Sequence, residues 1–134
     1  MVLVDTSVWI AVFRRNKPID LEEYVNFDEI VTCLPIVQEV LQGFRRQGDF
    51  LLARESMLAL PAVETPLHRE VFLEAAELYR TARRQGITVR SSVDCLIAAC
   101  ALRNSLKVLH DDRDFRWLAR IAPLDQEQIA PQDS

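Results

Sequence analysis

No stretch of this sequence is apolar for long enough to cross a membrane. The longest unbroken run, Cys95 to Leu102, falls far short of the roughly 20 residues a span needs. Cysteine is scarce, and the three present, Cys33, Cys95 and Cys100, form no CxxC and cannot all pair. Cys95 and Cys100 are five positions apart, so they do not share a helix face. All three lie in apolar stretches, which predicts reduced core residues in a cytoplasmic protein. Positive charge is not in excess. Sixteen Lys and Arg stand against 20 Asp and Glu, a net charge of -4 that argues, weakly, against nucleic acid as a partner. Internal repeats and linkers are missing too, so the 134 residues are expected to form one domain with no membrane association. Met1 leads directly into a strand-like run, a pattern that predicts no signal peptide.

What is present starts with Met1-Val2-Leu3-Val4-Asp5-Thr6-Ser7. An apolar run without alternation reads as a strand buried on both faces. Asp5 falls where that strand ends, the sheet edge where open α/β folds bind ligands. Thr6 or Ser7 is expected to cap a short helix to Phe13. Ile19 to Phe27 reads as another short helix and Glu29 to Cys33 as a second buried strand. A helix then runs from Pro35 to Phe44, closed by Arg45-Arg46-Gln47-Gly48. Asp49 is expected to cap a helix over Phe50 to Leu60, and Ala62 to Thr65 is a short third strand at best. Pro66 opens a long amphipathic helix to about Gln85, stopped by Gly86. Ser91-Ser92 caps a very apolar helix from Val93 to Leu102. Leu106 to Leu109 is a fourth strand, and Asp114 starts a last helix, Phe115 to Ile121. The polar tail from about Pro123 to Ser134 is expected to be loosely ordered. Strands alternating with helices predict an α/β sandwich with a mostly parallel sheet.

Four acids stand where core residues are expected. Asp5 follows Val2-Leu3-Val4. Glu39 interrupts Pro35-Ile36-Val37-Gln38-Glu39-Val40-Leu41. Asp94 is the only charge between Val93 and Leu102. Asp112 follows the strand ending Val108-Leu109-His110. An unpaired buried carboxylate is costly, so such groups are paired, protonated or bound to metal. Asp94 is the most telling, because a helix without a polar face is buried; its plainer reading is a first-turn acid favoured by the helix macrodipole.

Neighbouring parallel strands would bring these acids to one edge, where four carboxylates repel each other. Hard cations such as Mg²⁺ or Mn²⁺ take oxygen ligands and resolve that conflict. Within Asp111-Asp112-Arg113-Asp114, Asp112 is the first ligand choice and Asp114 a second ligand or a cap. Asp111 reads as solvated. Arg113 reads first as a surface ion pair and second as a phosphate contact. Thr6 and Ser7 are capping residues that could also orient a water or a phosphate. His110 and Trp9 read as structural, His68 as surface. The arginines cluster at Arg14-Arg15, Arg45-Arg46, Arg80-Arg83-Arg84 and Arg113-Arg116-Arg120, each by default a solvated face.

Taken together and in order, four stretches resemble the PIN-domain ribonucleases of the VapC type. They are Val4-Asp5-Thr6-Ser7-Val8-Trp9, Pro35 to Gly43, Ser91 to Ala98 and Leu109 to Phe115. The resemblance spans residues 1 to about 120. It implies a PIN-like three-layer α/β/α sandwich and Mg²⁺- or Mn²⁺-dependent cutting of single-stranded or loop RNA, with one or two ions. It also implies a homodimer and a cognate VapB-like antitoxin. Asp5, Glu39, Asp94 and Asp112 carry over as the acidic quartet, Asp114 as an auxiliary, and Thr6 or Ser7 as a polar neighbour.

Other classes fit less well. A phosphatase with an aspartyl nucleophile would want a second Asp where Ser7 stands. A receiver-like switch would want a lysine after the last strand, whereas Lys107 precedes it. A non-catalytic RNA-binding relative would have no use for an intact quartet.

Overall fold

The computed structural model describes residues 1–129. Four strands form one parallel sheet in the order β2-β1-β3-β4. They are β1 (Val2–Val4), β2 (Ile30–Val31), β3 (Lys107–His110) and β4 (Gln126–Gln128). Six α-helices surround it among the described residues: α1 (Thr6–Phe13), α2 (Leu34–Gln42), α3 (Gln47–Leu58), α4 (Arg69–Arg84), α5 (Ser92–Arg103) and α6 (Arg113–Leu118). Leu3, Val4, Ile30, Val31, Val108 and Leu109 are all buried, as strands covered by helices on both faces require. No helix is long and apolar enough to cross a membrane among the described residues. Cys33, Cys95 and Cys100 are buried free thiols.

The register sets the position of the acids. Val4 pairs with Leu109, and the Asp5 amide donates to the Leu109 carbonyl at 2.9 Å. Asp5 thus leaves β1 at the level where β3 ends. Chain connections diverge between β1 and β3, since β2 lies outside β1 and β4 outside β3. That divergence is the switch point at which a parallel sheet opens a crevice.

Several boundaries differ from the sequence reading. The segment Ile19 to Phe27 forms no α-helix; short 3₁₀ turns occupy Leu21–Glu23 and Phe27–Glu29. Asp20 caps the first of them through the Glu22 amide. The second strand keeps only Ile30–Val31, and Ala62 makes a single bridge to Thr32 rather than a strand. Gly48 and Asp49 lie inside the first turn of α3 instead of ending one helix and capping another, and Asp49 pairs with Arg15.

The tail corrects the expectation of loose order from about Pro123. Residues 126–128 form the edge strand β4, paired with β3 from Val108↔Gln126 to His110↔Gln128. Leu124 and Ile129 bury themselves on either side of it. A polar strand can hold an edge when main-chain pairing and two apolar anchors carry it. The last residues, 130–134, lie outside the described residues.

Candidate active site

The site assembles at the ends of β1 and β3 and the start of α5. Asp5 is the N-cap of α1: its Oδ2 accepts from the Ser7 amide at 3.0 Å and from the Ser7 hydroxyl at 2.6 Å. Ser7 Oγ in turn accepts the Asp111 amide at 2.9 Å. This chain of bonds ties the β1 exit to the β3 exit. Thr6 is the first residue of α1, not its cap, and its hydroxyl donates to Glu39 Oε1 at 2.8 Å. Glu39 is half-buried, one turn inside α2.

Asp112 caps α6 by accepting the Asp114 amide at 2.9 Å. The expected cap, Asp114, instead turns inward with 1% of its surface exposed, where its Oδ2 accepts the Arg90 amide at 3.0 Å. Below the loop lies His110, fully buried. Its Nε2 bonds Gln126 Oε1 at 2.6 Å and its Nδ1 accepts the Asp112 amide at 3.1 Å. These partners assign the proton to Nε2. Burial lowers the imidazole pKa and keeps the ring neutral, partly offset by the Gln126 bond. His110 is therefore a strut for the Asp112 loop, and Gln126 of the tail strand holds it.

Carboxylate oxygens of Asp94, Asp112 and Asp114 all lie within 4.8 Å of one another. Asp94 is 5% exposed and Asp5 2%. One oxygen each of Asp5, Asp94 and Asp114 is buried without a hydrogen-bond partner among the described residues. Burial pushes the Asp94 carboxyl up to about 9, helped by the charges of Asp5 and Asp112 and by hydrogen bonds to Asp112 and Asp114. Burial also raises Asp5, to about 6, against the lowering effect of its Ser7 bonds; Glu39 adds repulsion. Orphaned acceptors, like charge and an all-oxygen donor set fit a hard divalent cation. Asp94, Asp112 and Asp114 are the residues that could hold it, with Asp5 and Glu39 at the same edge.

Arg90 is the residue that sequence reasoning missed. Its Nη2 lies 3.6 Å from Asp112 Oδ1 and its Nε 3.8 Å from Asp114 Oδ1. The only signal was a basic residue two positions before the helix carrying Asp94. Arg113, the sequence candidate, is exposed and makes no ion pair among the described residues. Asp111 is exposed, accepting from Gln128 Nε2 at 3.2 Å. Trp9 packs in the core and stacks on Phe13, with ring centroids 5.9 Å apart.

The family model of the PIN domain matches residues 2–121. The chain is 37% identical over 129 residues to VapC ribonuclease Mb1587 of Mycobacterium bovis and to Ribonuclease VapC11 of Mycobacterium tuberculosis. Each of those alignments covers 92% of this chain and 96% of the relative. Among solved structures, a DNA-bound VapBC from Salmonella typhimurium superimposes with a TM-score of 0.76 at 18% identity, covering 96% of this chain and 98% of that one. VapBC-5 from Mycobacterium tuberculosis gives 0.71 at 23%, covering 96% and 98%. At those identities the structures speak for the fold, whereas the family model and the curated relatives speak for descent: this chain belongs to the PIN-domain family, among the VapC ribonucleases.

Proposed function

We propose that this chain is a metal-dependent endoribonuclease that cuts single-stranded or loop RNA as the toxin of a toxin–antitoxin pair. The observation that carries the reading is the cluster of Asp94, Asp112 and Asp114, whose carboxylates share one small space with buried, unsatisfied oxygens. Such a cluster is costly without a bound cation, and its one ion-pair partner among the described residues, Arg90, reaches it from the exposed rim, 3.6 Å from Asp112. The names of the VapC relatives support RNA as the substrate.

Asp94, Asp112 and Asp114 would hold Mg²⁺ or Mn²⁺, with Asp5 completing the set or holding a second ion. When bound, the ion supplies charge neutralisation at a phosphate and lowers the pKa of a water that attacks in line. Glu39, held by Thr6, would accept a proton from that water or orient it. Ser7 fixes the Asp5 carboxylate through its amide and its hydroxyl. Arg113 and the arginine clusters are proposed to hold the RNA backbone. A VapB-like antitoxin is proposed as partner, supported by structural neighbours that are VapBC complexes. A homodimer is proposed through α4, where Phe72 and Leu73 are exposed. The expected compartment is the cytoplasm.

The test uses the purified chain, free of any antitoxin. It is incubated with total bacterial RNA in Mg²⁺ or Mn²⁺, with and without EDTA, beside D94N and D5N, and the cut ends are mapped. Discrete cuts that vanish with EDTA and in both folded variants support the reading. Equal cutting by folded D94N would reject it. Phosphate release from small esters, with RNA left intact, would favour a phosphatase instead.

A further inference from the structure

Arg90 is the one cation that the described residues set against the acidic cluster, and its main chain and side chain are held differently. The main chain is fixed, because its amide donates to the buried Asp114 carboxylate at 3.0 Å. The side chain is 59% exposed. Its two approaches, 3.6 Å to Asp112 and 3.8 Å to Asp114, are charge contacts beyond hydrogen-bond range. Among the described residues its side-chain N–H donors are therefore uncommitted, on a stem anchored beside the carboxylates.

Resting on the ribonuclease reading, we propose that Arg90 is a catalytic residue of this site, whose guanidinium grips the phosphodiester being cut. Asp94, Asp112 and Asp114 by themselves repel a phosphodiester anion. A guanidinium at their rim reverses that locally and offers a planar fork that matches two phosphate oxygens. Negative charge on those oxygens grows as the water attacks, so the contact strengthens toward the transition state and raises the rate. The competing role is an ion pair that only tempers repulsion among the acids. That role would show in metal affinity and melting temperature, not in turnover once metal is saturating.

The experiment compares wild type, R90A and R90K on an oligoribonucleotide spanning a mapped cut, at saturating Mn²⁺. For R90A, kcat/KM is expected to fall about 100-fold. R90K recovers part of this but stays about tenfold below wild type, because an ammonium lacks the fork. One lost phosphate contact should also make the slope of log kcat/KM against log salt shallower by about 0.7 for a single strand. Mn²⁺ titration calorimetry should give R90A an affinity no weaker than wild type. R90A cutting within about threefold of wild type, with an unchanged salt slope, would overturn the proposal and leave the ribonuclease reading intact. Wild type that cuts no RNA overturns both. Should R90A fail to fold, R90K decides: a full wild-type rate would overturn the gripping role, and a rate deficit with normal Mn²⁺ affinity would support it.

Discussion

The Thr6 hydroxyl donates a 2.8 Å hydrogen bond to Glu39 Oε1, joining the first turn of α1 to α2 across 33 positions of sequence. Glu39 is only half-buried, and this is the one side-chain hydrogen bond to its carboxylate among the described residues, so this bond is what fixes it. T6V keeps the shape and deletes the donor. Cleavage at saturating Mn²⁺ should fall about tenfold, the worth of roughly one hydrogen bond to a charged group. The melting temperature should stay near wild type, and T6S should restore the rate. A T6V enzyme with full kcat would show that Glu39 needs no fixing.

Ser7 holds two groups at once, the Asp5 carboxylate and the Asp111 amide. S7A removes the hydroxyl partner of that amide and leaves Asp5 held by the residue 7 main-chain amide alone. A loss of about 1–3 kcal/mol in urea unfolding is expected, the usual penalty for unsatisfied partners. Cleavage should drop as well, because Asp5 loses the shorter of the two bonds that orient it. S7T should recover stability better than S7A; an S7A protein as stable and active as wild type would mean that neither bond matters.

Much of this arrangement was legible in the sequence because burial of charge is legible. Asp5 and Asp94 stand inside apolar runs, and both are buried. Parallel strands with acids at their ends converge once β1 and β3 are neighbours, and that adjacency alone could not be read. The depth of Asp114 was not visible. Asp112 and Asp114 are both good caps, and only the fold shows that Asp112 caps while Asp114 turns inward. Arg90 was hidden because its partners lie 22 and 24 positions later and its own side chain is exposed. The strand Gln126–Gln128 was missed because its side chains carry no apolar alternation; main-chain pairing to β3 makes it a strand.

Protons and metal should both stabilise the fold, each competing with the other for the same carboxylates. Asp5 and Asp94 both have folded-state pKa values above the ordinary 3.8, at about 6 and about 9. Each raised carboxyl contributes stability that is complete below its unfolded value and is lost as pH rises through its folded value. In EDTA, the melting temperature should therefore decline from about pH 5 toward about pH 9, and D94N should flatten the decline. Divalent ions bind the deprotonated forms, so stabilisation by Mn²⁺ should be larger at the alkaline end. A metal-free melting curve that rises over this range would contradict the burial of these charges.

Asp111 and Asp114 flank the same cap yet should respond oppositely to substitution. Asp114 is buried, with one oxygen bonded to the Arg90 amide and the other without a hydrogen-bond partner among the described residues. D114N keeps an acceptor for that amide and removes the charge. It should weaken Mn²⁺ binding by about tenfold or more, with cleavage partly rescued by excess Mn²⁺, and it should raise the metal-free melting temperature by relieving repulsion. Asp111 contributes its main-chain amide to Ser7, while its exposed carboxylate meets only Gln128 among the described residues. D111A leaves that amide in place and should cut RNA at close to the wild-type rate. Metal titration and cleavage assays on both variants separate the residues: a silent D114N beside a dead D111A would move the metal centre out to the loop surface, away from the buried cluster.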